Sequence, residues 1–201
     1  MITELQFLNA SKIIGCSISC IKAVYEVEAN GRGYLLDGRV KILFEGHRFW
    51  KQLIKAGISK AKLQEVATTN QNVVYEVWDR RQYKGGAAEW DRMSEAIAVC
   101  ASLNVPAELA LKSASYGSFQ IMGENHALCG YPGAQSMLSS YNNGGEAEQL
   151  DSFCRFVKST GLDDELRAKN WAAFARGYNG TGYKLNKYDT KLSAAEKRFS
   201  S

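Results

Sequence analysis

Two carboxylates in one short stretch, Glu28 and Glu45, have the residue type and setting needed for acid-base chemistry on a polar bond. Residues Ile21, Val24, Tyr25 and Glu28 recur at i, i+3, i+4 and i+7, so they share one helical face. Three of them are apolar or amphipathic, and the fourth is a carboxylate where the stripe should bury something greasy. Asn30, Gly31 and Gly33 follow and should stop the helix. A carboxylate at a helix C-terminus meets the negative end of the dipole and partly apolar neighbours, and both disfavour its charged form. Glu28 is therefore expected to be a general acid. Glu26 points off the stripe, four residues from Lys22, and reads as its solvated partner. Glu45 lies at a strand-to-helix junction, where it either faces a cleft or pairs with Arg48 or Arg39.

The elements that position these groups can be read in order. Thr3 and Gln6 have capping-box spacing, and a first helix should run from Glu4 to Ile14 before Gly15. Ser17 can cap the helix that carries Glu28. Residues 39–44 read as a short extended segment, followed by a helix from Glu45 through Leu53 that Gly57 closes. Residues 60–88 are polar and read as an irregular excursion, with VVYEVW as a candidate strand. A clear amphipathic helix spans residues 89–103, with Trp90, Met93, Ile97 and Cys100 at helical spacing. Pro106 opens a short helix ending at Lys112. SASYGSFQIMG then alternates around Gly117 and suggests a tight hairpin whose Ser115, Ser118 and Gln120 can line a groove. Residues 133–141, 146–159 and 162–169 read as three helices, and Asn170 caps a last main helix, WAAFARGY, ending in the loop YNGTGY. The charged tail from Lys191 is expected to fray.

Composition narrows the class. The 201 residues are 45% hydrophobic, enough for a sizeable core, and the ten Tyr and four Trp suit either that core or a groove that stacks sugar rings. A net charge of +4 favours polyanions such as envelope polymers without requiring nucleic acid. The N-terminal stretch lacks a basic region followed by a continuous apolar run, and no segment reaches membrane-spanning length, so neither a secretory signal nor membrane insertion is expected. Five cysteines, with no CxxC pair, argue for free thiols. Two histidines give no convincing metal site, and no cofactor is expected.

Four stretches, VEANGRGYL, KILFEGHRFW, SASYGSFQIMGENHALCGY and WAAFARGYNGTGYKLNKYDTKL, in this order resemble the bacteriophage-type N-acetylmuramidases, endolysin catalytic domains of the lysozyme-like superfamily. The resemblance covers nearly the whole chain. It implies a mainly α-helical, lysozyme-like α+β fold in which a small β-hairpin lines a substrate cleft. One catalytic domain over residues 1–201 is expected, with no separate cell-wall-binding domain. The implied activity is cleavage of the β-1,4 bond between N-acetylmuramic acid and N-acetylglucosamine in peptidoglycan, leading to bacterial lysis. Glu28 in VEANGRG matches the catalytic glutamate of goose-type lysozymes and lytic transglycosylases. Glu45 matches a second family glutamate whose role stays open. Tyr116, Ser118, Gln120, Tyr178 and Asn179 fall where relatives hold the saccharide. Two positions depart from the pattern: Gly46 stands where a basic residue is common, and Tyr116 where a Trp is common. The resemblance also implies peptidoglycan glycan strands as partner, a monomer, and storage in the cytoplasm of an infected bacterium before action on the wall. The alternatives are a lytic transglycosylase giving anhydro-muramyl ends, a Cys/His amidase or peptidase using Cys129 with His126 or Cys20 with His47, and a non-catalytic glycan-binding module.

Overall fold

The computed structural model describes residues 2–29 and 33–200. Helix α1 (Glu4–Ile14) starts with a reciprocal capping box between Thr3 and Gln6 and ends at Gly15, whose φ of 82° lets the chain turn back. Helix α2 (Ile18–Ala29) follows, with Ser17 Oγ accepting from the Cys20 amide at 3.4 Å. Ile21 and Val24 are fully buried, while Tyr25 and Glu28 on the same face are partly exposed. Asn30 and Gly31, two of the residues expected to stop the helix, lie outside the described residues.

A three-stranded antiparallel sheet forms the hinge of the architecture, in the order β1 (Ile42–Phe44), β2 (Ala114–Tyr116), β3 (Ile121–Met122). Ile42 pairs with Tyr116 and Phe44 with Ala114, so the hairpin turn sits at the end of the sheet where β1 begins. Helix α5 (Ala88–Ser102) packs against β1, and α6 (Glu108–Lys112) packs on both α5 and α3 (Gly46–Lys55). Helix α7 (Ala134–Thr160) is broken at Gly145 (φ 68°), within the expected gap between residues 141 and 146. Short α8 (Asp163–Arg167) leads to α9 (Trp171–Asn179), which Asn170 caps through the Ala173 amide. Fully buried Phe44, Phe49, Tyr116, Phe119, Tyr141, Phe153 and Phe174 fill the core, so most of the aromatic content packs rather than faces a groove.

Three expectations are corrected. Residues 60–88 contain a helix, α4 (Lys60–Thr69), capped by Ser59 and anchored by buried Leu63. VVYEVW is not a strand. The Val73 and Val74 amides both turn onto the Asn70 carbonyl, at 3.0 and 2.9 Å, so the chain bends back there instead of extending, and both side chains are buried. The tail does not fray: α10 (Tyr188–Ser200) packs along α2. Leu192 and Ala195 are buried, and Glu196 accepts from Lys169 at 2.6 Å and from Ser19 at 2.8 Å. The Lys169 ammonium, with the Ser200 hydroxyl, holds the Glu196 carboxyl down at about 2. Docking of α10 also changes the surface pairs. Lys22 binds Glu4 at 2.8 Å, and Glu26 binds Arg198 instead of Lys22.

Candidate active site

Glu28 ends the inward face of α2, and α10 supplies the opposite wall. The two helices border a cavity of 530 Å³ whose lining includes Glu28, Val27, Tyr188 and Lys191. Asn179, the last residue of α9, donates its side-chain amide to Glu28 Oε1 at 3.0 Å. Burial pushes the Glu28 carboxyl up, the Asn179 hydrogen bond and the Lys191 charge pull it part of the way back, and the balance stands at about 7. A carboxyl balanced there is substantially protonated near neutrality and can give its proton to a leaving oxygen.

The hairpin holds this arrangement together. Gly117 takes φ of 72° at the turn, and a side chain there would meet Gln149 Oε1 at 2.5 Å. Gln149 Oε1 accepts from the Ser118 amide at 2.7 Å, pinning the turn onto α7. Gly33 approaches the same turn so closely that a Cβ would stand 2.4 Å from both Gln149 Oε1 and Ser118 Oγ. Gly33 is thus fixed against the hairpin. Tyr178 donates its hydroxyl to the Phe119 carbonyl at 2.8 Å and stacks on Phe174 at 5.4 Å, which ties α9, and with it Asn179, to the same turn.

These contacts redefine the residues expected to hold saccharide. Tyr116 is fully buried with its hydroxyl on the Leu111 carbonyl at 2.6 Å, so its ring has no face to offer a sugar. Ser118 is also fully buried and serves the turn. Gln120, at φ 49°, accepts from Ser115 Oγ at 2.9 Å and donates to the Gly117 carbonyl at 2.8 Å, so its amide is committed within the hairpin. Tyr178 is partly exposed but its hydroxyl is taken, whereas Asn179 reaches the carboxylate itself.

Glu45 sits at the other end of the sheet. Its amide donates to the Ser113 carbonyl at 2.9 Å, while at the hairpin end the Gly117 amide donates to the Lys41 carbonyl at 2.8 Å. Four residues of extended chain, roughly 13 Å along the strand, separate the two ends. Glu45 Oε2 accepts from the Tyr83 hydroxyl at 2.6 Å and lies 3.2 Å from His47 Nδ1. That nitrogen is not aligned as a hydrogen-bond donor, so the contact is one of proximity. Arg48 instead pairs with Glu124 at 2.9 Å and Arg39 with Asp37 at 2.7 Å, so neither of the expected partners holds Glu45. Gly46 has a steric reason: a Cβ would stand 2.2 Å from the Tyr75 ring, whose hydroxyl accepts the Gly46 amide at 3.1 Å.

Sequence reasoning missed five residues. Tyr188 and Lys191 were hidden because the charged tail looked unfolded. Tyr83 reaches Glu45 across a loop with no periodic signal. Glu89 and Arg92 form a buried ion pair at 2.7 Å, at side-chain exposures of 0% and 4%, whose only trace is i, i+3 spacing in an apolar helix. Burial opposes charge on Glu89, but the amides of Gly85, Lys84 and Phe44 and the Arg92 guanidinium outweigh it and hold its carboxyl below the ordinary value.

The Cys/His alternatives do not assemble. Cys129 is fully buried with its thiol pushed up to about 12 by burial, and His126 Nδ1 is engaged with the Tyr131 carbonyl at 2.9 Å. Cys20 is fully buried beneath Ser17 and the Leu166 carbonyl, while His47 stacks on Tyr75 beside Glu45. Among the described residues no group of three His, Cys, Asp or Glu side chains could hold a metal ion.

Comparison with known proteins identifies the family and the fold. The family model described as "Muramidase: N-acetylmuramidase" matches residues 17–200. The chain is similar to the crystal structure of the Burkholderia AP3 phage endolysin, with a TM-score of 0.85 and 35% identity. That match covers 99% of this chain and 71% of the endolysin chain. No curated protein matches the chain significantly.

Proposed function

The chain belongs to the N-acetylmuramidase family and is a glycoside hydrolase of that kind, and on that premise we propose that Glu28 is the general acid that cleaves the β-1,4 bond between N-acetylmuramic acid and N-acetylglucosamine. The observation that carries the assignment is the setting of Glu28: a carboxyl held near neutrality by burial, on a cavity wall, with an amide donor from Asn179 on one oxygen. Departure of the leaving sugar needs a proton on the glycosidic oxygen and something to manage the oxocarbenium-like centre left behind. Glu28 gives its proton to that oxygen as the C–O bond breaks. A water then adds to the anomeric carbon, and its proton returns to the carboxylate. Asn179 orients the carboxyl and, by donating to it, favours the anion formed as the proton leaves. The substrate's N-acetyl group or a positioned water stabilises the cation.

We assign Glu45, which is bonded to Tyr83 at the far end of the sheet, to the glycan or a water rather than to Glu28 itself. The substrate is the peptidoglycan of a bacterial wall, and cleavage along its strands lyses the cell. The protein is held as a monomer in the cytoplasm of the infected bacterium until it reaches that wall.

Digestion of purified peptidoglycan followed by product analysis tests this reading. New reducing ends of muramic acid are expected. Anhydro-muramyl ends would instead assign a lytic transglycosylase, in which the substrate's own hydroxyl replaces water. Absence of both products would overturn the reading.

A further inference from the structure

The loop between α4 and α5 presents an indole that the chemistry above leaves unused. Trp78 is 56% exposed, yet its position is fixed. Its Nε1–H donates to the Tyr83 hydroxyl at 2.7 Å, and the two rings meet edge to face at 6.5 Å. Tyr83 in turn donates to Glu45 Oε2 at 2.6 Å. The base of the same loop is clamped by buried Glu89, which accepts from the Lys84 and Gly85 amides at 2.7 and 2.9 Å and from the Phe44 amide at 3.0 Å. Phe44 immediately precedes Glu45, so one buried carboxylate fixes both the loop and the strand end beside which the indole stands.

A singly exposed apolar side chain needs no explanation. This one differs in being held by a hydrogen bond to a group that itself rests on a site carboxylate, with Val77 beside it 75% exposed. A flat apolar face that costs little ordering entropy, next to polar atoms, is the surface that takes the C–H face of a pyranose while its hydroxyls and acetamido group reach the polar rim.

The geometry points to Trp78 as a saccharide-stacking subsite for an N-acetylhexosamine ring of the glycan, standing beside Tyr83 and Glu45 at the end of the sheet opposite the hairpin. Tyr83 is a positioning residue there: it aims the indole and shares its hydroxyl with Glu45. The inference rests on the glycan-cleaving reading given above, and extends it to how the chain grips a polymer rather than a single linkage. A remote contact of this kind is made equally in the ground state and the transition state, so its loss appears in KM.

The test combines kinetics on soluble peptidoglycan strands with a fluorescence titration using N-acetylglucosamine tetramer, both on the full chain. Trp78→Ala is expected to raise KM about tenfold with kcat within about twofold. Trp78→Phe, which keeps a stacking face, is expected to restore most of that loss. The tetramer should change the tryptophan emission of the unsubstituted protein and leave that of Trp78→Phe unaltered, since Trp50 and Trp171 are buried and Trp90 is partly buried. Unchanged KM in Trp78→Ala, or a fluorescence response that persists in Trp78→Phe, would overturn the proposal. If the protein bound the tetramer through Trp78 but cleaved no peptidoglycan, the hydrolase reading would fail and the subsite would stand. Normal cleavage with no Trp78 dependence would do the reverse.

Discussion

Asn179 donates its side-chain amide to Glu28 Oε1 at 3.0 Å, joining the last residue of α9 to the last turn of α2 across 151 positions of sequence. The bond does two things at once. It fixes one carboxyl oxygen so that the other is free to face a substrate, and it tempers the effect of burial so that the acid rests at about 7 rather than higher.

The pH dependence follows from that value. The protonated form of Glu28 is the working form, so kcat/KM should fall on an alkaline limb centred near pH 7. Stability should show the same group. Its folded value is raised above the ordinary 4.5, so the folded state binds the extra proton between pH 4.5 and 7. The contribution is fully present below pH 4.5 and lost as pH rises through 7, on the order of 3 kcal/mol. Denaturant unfolding of Glu28→Gln and the unsubstituted chain should therefore coincide at pH 4 and differ at pH 8, with the variant the more stable.

Lys191 reports on the wall formed by α10. Its positive charge favours the Glu28 anion, so Lys191→Met should move the alkaline limb upward, and Lys191→Arg should leave it in place. A kcat/KM profile at two salt concentrations checks this. High salt should shrink the difference, because the lysine is exposed.

The Glu89–Arg92 pair should be costly to break from one side. Glu89→Gln leaves a buried guanidinium without its counter-charge and weakens acceptance of three backbone amides, so a loss of about 3–5 kcal/mol is expected in chemical denaturation.

Leu192 tests whether α10 is part of the fold. Its side chain is fully buried against the helical body, and Leu192→Ala should cost about 2–5 kcal/mol, read as a lowered Tm. An unfolded tail would show no change.

What the sequence made legible was local. The α1 capping box, the apolar stripe leading to Glu28, the Gly117 hairpin and the Asn170 cap all depend on residues within a few positions of each other, and the structure shows each of them. Misreadings arose where burial is decided by distant partners. In α10 only Leu192 and Ala195 are buried apolar anchors in a charged run, and nothing local shows that α2 waits to cover them. In the hairpin, alternation identified a strand pair but not its faces, so Tyr116 looked available to a sugar when it points into the core. The bond from Tyr83 to Glu45 spans 38 positions, and the loop that carries Tyr83 is organised by a buried carboxylate, Glu89, that looks like any helical surface charge. The acid itself was readable because a carboxylate broke a pattern. Its donor, its cationic neighbour and the wall opposite it belong to the last quarter of the chain, where the stretch WAAFARGYNGTGYKLNKYDTKL carried a resemblance but no local pattern that sets Tyr188 and Lys191 beside Glu28.

The most direct measurement is release of reducing ends from purified peptidoglycan by Glu28→Gln, beside Glu26→Gln as a control on the same helix. Glu28→Gln is expected to lose at least about 10²-fold in rate while keeping its helical circular dichroism, and Glu26→Gln to retain activity. A Glu28→Gln protein that still cleaves at a comparable rate, or a Glu26→Gln protein that is inactive while folded, would contradict the assignment of the acid.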